Sequence, residues 1–89
     1  NPKNEKSYLY LAKIFKQEKK TDLEENNLNT VILINPKNEE AIYLLTLLSI
    51  KKSNFDKAKD LIDTFDNICV KSCFLKEELL RELETSSKQ

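Results

Sequence analysis

The 89-residue chain contains no histidine, glycine, tryptophan or methionine, and only two prolines and two cysteines. Without histidine, the commonest general base and a usual zinc ligand are both missing. Without glycine there is no phosphate-cradling loop and no Gly-x-Ser-x-Gly nucleophile elbow. The tight turns of a hairpin-built sheet also lose their preferred residue, which turns the fold toward helices. Neither sign of charge is in excess: fifteen basic residues stand against fifteen acidic ones. The chain as a whole therefore lacks the positive field that nucleic-acid binding draws on. The most apolar run, "AIYLLTLLSI" from Ala41 to Ile50, falls well short of the roughly 18 residues a membrane span needs. No signal peptide or lipidation motif is visible. Because the first residue is not methionine, the chain reads as a piece of a longer protein. A cytoplasmic location is expected over an exported form whose signal peptide has been removed.

Cys69 and Cys73 lie four apart in "CVKSC". On a helix they share a face at a separation and orientation poor for a bridge. Two thiols without histidine do not complete a zinc site. The expectation is a pair of small, partly buried apolar residues, with no metal and no cofactor.

What the chain does contain is a repetition. "NPKNE" at Asn1 to Glu5 returns at Asn35 to Glu39, 34 residues later. Superposing residues 1–34 on 35–68 also pairs Leu11 with Leu45, Asp22 with Asp56, Thr30 with Thr64 and Ile34 with Ile68. Self-similarity at this period marks a repeat architecture. Each unit reads as two helices. Asn4, Asn38 and Asn54 are candidate N-caps, and "TDLE" from Thr21 reads as a capping box. Tyr8, Leu11, Ala12 and Phe15 form the buried stripe of the first helix, and Leu23, Leu28, Val31 and Ile32 that of the second. Phe55, Ala58, Leu61, Ile62 and Phe65 do the same in the second unit. A fifth helix is expected from about Lys71 to Thr85, with Leu75, Leu79 and Leu83 inward. The organisation is therefore all-α: one unit over 1–34, another over 35–68, and a capping helix with a frayed tail over 69–89.

A 34-residue helix-turn-helix unit closed by Asn-Pro resembles the tetratricopeptide repeat. Tyr8, Leu11 and Ala12, then Ile42, Leu45 and Thr46, stand at that motif's large, leucine and small positions. Ala58 fits its small residue in the second helix, whereas the first unit places Glu24 there. Val70 stands where the closing proline of the second unit would be. The resemblance implies an α-solenoid fragment and a non-catalytic protein-binding scaffold. It also implies a concave face lined by the first helix of each unit.

On that face helical geometry puts Leu9, Lys13 and Lys16 in the first unit and Tyr43, Leu47, Ile50 and Lys51 in the second. The expected ligand is a peptide or partner protein, acidic and carrying apolar side chains. The alternative is an architectural segment that docks within its parent protein or self-associates as a homo-oligomer, its apolar strip covered by neighbours. One subfamily clamps the C-terminal carboxylate of chaperones with lysine and asparagines. The matching places here hold Leu9, Lys13 and Leu44, so that ligand is not expected. RNA reading by the related pentatricopeptide hairpins is disfavoured by the neutral charge and the apolar strip.

Overall fold

A computed structural model describes residues 4–88 and is all-helical: α1 (Glu5–Gln17), α2 (Thr21–Ile34), α3 (Glu39–Lys51), α4 (Phe55–Ile68) and α5 (Leu75–Ser87). The period read from the sequence is carried into the backbone. The steps from Glu5 to Glu39, Gln17 to Lys51, Thr21 to Phe55 and Ile34 to Ile68 are each 34 residues. Two helical hairpins of one design therefore succeed each other, and α5 packs against both α3 and α4.

The caps explain the starts. Asn4 accepts from the Lys6 amide, Asn38 from Ala41 and Asn54 from Lys57, each satisfying a donor that a helix N-terminus leaves free. The expected capping box at Thr21 is not formed. Thr21 is already the first helical residue, and Lys20 before it makes no side-chain cap. Pro2, expected to stop any preceding helix, lies outside the described residues.

The turns explain how hairpins form without glycine. Lys20 N–H donates to the Phe15 carbonyl and Lys19 N–H to that of Lys16; Asn54 and Ser53 repeat the pair on Ser49 and Ile50. This is the Schellman ending, whose next-to-last residue takes a left-handed conformation. Lys19 and Ser53 occupy it, each at φ 60, a region where a side chain with a Cβ is disfavoured. The two residues are again 34 apart.

The core consists of two buried clusters, with the partly buried Ile32 and Leu61 packed against both. Ala12, Leu28 and Val31 of the first hairpin bury against Ala41, Leu45 and Leu48 of α3. Ile42, Ile50, Ala58, Ile62 and Phe65 of the second bury against Leu79 and Leu83 of α5. Leu11 and Leu23, expected inside, are instead partly open to solvent. Leu79 lies 34 residues after Leu45, so α5 stands where the first helix of a third unit would.

The fifth helix starts later than expected. α4 ends at Ile68 and Cys69 is extended, with φ −66 and ψ 143. Residues 69–74 form a bent linker, not a first helical turn. Once off the helix, Cys69 and Cys73 come within 5.2 Å between Cα atoms and are joined by a disulfide, a separation suited to one. The expectation of two unpaired apolar thiols is thereby corrected: it assumed a helix that the chain does not form there.

Candidate functional site: the inter-helix row and the linker latches

Part of the row expected to line a groove packs into the helical stack. Leu9 packs into the core shared by α1, α2 and α3, and Lys13 is ion-paired with Glu40 at the start of α3. One unit later, Tyr43 and Leu47 pack against the cluster that contains Leu79 and Leu83 of α5. Ile50 belongs to that cluster and is only 5% exposed. The Tyr43 hydroxyl donates to Oε1 of Glu78 at 2.9 Å. Burial, and then this carboxylate, push the phenol above its ordinary value, so it remains a protonated donor. The apolar strip is consequently covered by α5. Its openness could not be read from α3 alone, because it depends on where the last helix docks.

Lys16 and Lys51 remain exposed. Both act on Glu24, which the sequence places where the second unit has Ala58. Glu24 is 5% exposed. Burial raises its pKa, while the ammonium groups of Lys16 and Lys51 work in the opposite direction. Nearby, Glu25 accepts from Lys52 at 2.8 Å and from Lys57 at 3.2 Å, which ties α2 to the turn of the second hairpin and the start of α4. The positive charge expected to attract an acidic ligand is thus partly neutralised within the molecule.

A second constellation lies outside the sequence expectations. The first-turn glutamate of each unit grips the linker that ends the same unit. Glu5 accepts from the side-chain amides of Asn35 and Asn38, at 3.0 and 2.8 Å to Oε2. Those amides, Asn38 first, hold its carboxyl below the ordinary range. Glu39, its counterpart, accepts three backbone N–H groups: Val70 at 3.0 Å, Lys71 at 3.2 Å and Ser72 at 2.8 Å. These donors, Val70 first, lower its pKa in the same way. The duplicated pentapeptide therefore has a structural use. The glutamate of each copy latches the linker ahead, and in the second copy the asparagines, Asn35 and Asn38, are the latch partners of Glu5. In the second linker Cys69 and Ser72 stand where those asparagines would be. Backbone donors from the disulfide-closed bend take over. The signal present in the sequence is the coincidence of a repeated Glu with a repeated Asn-x-x-Asn.

The disulfide and the Glu39 latch together fix a short loop that displays two large apolar side chains. Val70 is 83% and Phe74 75% exposed. Among the described residues there is no pocket, no group of acidic or cysteine side chains placed to hold a metal ion, and no helix long and apolar enough to cross a membrane. Compared with protein-family models, curated proteins and solved structures, the chain matches none.

Proposed function

We propose that this chain is a non-catalytic protein-interaction module of the tetratricopeptide type, and that it meets its partner at the α4–α5 linker, outside the concave row. The 34-residue step from α1 to α3 and from α2 to α4 supports the repeat assignment. The observation that carries the function is the fixed loop presenting Val70 and Phe74. Isolated exposed apolar residues are ordinary. Two on a loop held by a disulfide and by three hydrogen bonds to one carboxylate are different, because the ordering cost of an interface side has already been met. Aromatic anchors of this kind dominate the energetics of protein interfaces. The partner is a protein offering an apolar contact surface. Attraction of an acidic peptide by Lys13, Lys16 and Lys51 is weakened by Glu40 and Glu24.

The test is affinity capture with the purified chain, with titration of any stoichiometric partner it yields. Phe74→Ser and Val70→Ser should weaken that complex by about tenfold or more each, with unchanged thermal midpoints for the free chain. Unchanged affinity in both variants would remove the linker from the interface. Loss of affinity on reversing Lys16 and Lys51 to Glu would return the site to the row between first helices.

A further inference from the structure

The three first helices carry the same leucine at a step of 34: Leu11 in α1, Leu45 in α3 and Leu79 in α5. Leu79 is fully buried and Leu45 is 2% exposed, whereas Leu11 is 39% exposed. Identical chemistry thus has two fates, and the difference is what precedes it. Leu45 is buried with Leu28 and Val31 of the preceding hairpin. Leu79 is buried with Ile62 and Phe65, the same two positions one unit on. No hairpin precedes Leu11 among the described residues. Its neighbours behave likewise. Tyr10 and Ile14 correspond to Leu44 and Leu48, both of which pack into the core between the two units. Tyr10 is 67% exposed and Ile14 half-buried.

We infer that the face of α1 bearing Tyr10, Leu11 and Ile14 is a docking face for one further helical hairpin of the same 34-residue register. The occupant's second helix would present branched apolar residues at the positions that Leu28 and Val31 hold in this chain. A second copy of these 89 residues cannot supply that surface. Its Leu28 and Val31 are covered by its own α3, and its Ile62 and Phe65 by its own α5. The inference rests on the interaction-module reading but concerns a different surface from the Val70–Phe74 loop.

The sequence provides an in-register probe. Placing a second copy of residues 1–34 ahead of Asn1 joins Ile34 to "NPKNE", the same junction that Ile34 makes with Asn35 to Glu39 in the natural chain. The extended protein should unfold in a single transition, with a midpoint raised by about 5 °C or more. Leu11→Asp at the original leucine is the discriminating variant. Its depression of the midpoint should be at least about threefold larger in the extended chain than in the 89-residue chain, because only there does it bury a charge. Equal effects in the two chains would overturn the inference, as would separate melting of the added hairpin. Partner affinity at the linker is measured independently, so a failure here and a failure of the linker assignment give different results.

Discussion

Glu24 is the residue at which the first unit departs most sharply from the second. Its counterpart Ala58 is small and fully buried, while Glu24 carries a carboxylate into the equivalent place. Burial disfavours its charged form, so its folded-state pKa lies above the ordinary 4.5. A raised carboxylate favours folding below the unfolded-state pKa, and that contribution is lost as the pH climbs through the folded value. At neutral pH the ionised side chain is therefore a liability, only partly relieved by Lys16 and Lys51. Glu24→Gln should be more stable than the natural chain at pH 7, and the gain should shrink as the pH falls through the raised folded value and be lost below about 4.5. Urea denaturation at several pH values checks this. A loss of stability at pH 7 would reveal a favourable use of the charge. Glu5 and Glu39 have the opposite sign. Their lowered pKa values favour folding above the ordinary value, and that support is lost as the pH falls through the folded ones. Residue roles were legible at Asn4, Asn38 and Asn54, whose capping depends on the next few positions alone. The roles of Glu5 and Glu39 were not, because each bonds a segment about thirty residues away.

At the scale of elements, the same distinction separates what local rules decide from what they do not. Helices α1 to α4 arise from apolar periodicity, and their turns repeat even where glycine is missing. The start of α5 departs from a four-residue rule that is valid only inside a helix. The actual linker is bent, closed by Cys69–Cys73, and turned so that three consecutive amides meet Glu39. Closing so short a loop in the unfolded chain contributes about 2 kcal/mol in the chain-entropy account. Reduction with a thiol should therefore lower unfolding stability by about 2 kcal/mol. It should also accelerate amide exchange at residues 70–72 and along α5 more than along α1. Replacing both cysteines with serine should reproduce the loss and abolish any further response to reductant. Uniform exchange throughout the chain after reduction would mean that the bridge does not specifically secure the last helix.

For the whole molecule, the architecture is a stack in which a first helix meets its neighbours along up to two seams, both of them present on α3. One faces the hairpin before it, through Leu45 or Leu79. The other faces the first helix after it, through Leu9 and Lys13 in one unit and Tyr43, Leu47 and Ile50 in the next. The all-α fold was readable because apolar periodicity and the lack of glycine are properties of the sequence. Which face remains open was not, because a helix pattern marks every apolar side and is silent about the neighbour that covers it. The Tyr43 strip packs against α5, and the unfolding free energy of Tyr43→Ala tests most directly whether it serves as an internal seam. Loss of a half-buried aromatic and of its bond to Glu78 should cost about 2 kcal/mol. Glu78→Ala should lower stability less, and the two losses should not add. A Tyr43→Ala protein as stable as the natural chain, yet unable to bind its partner, would contradict the seam and restore the groove.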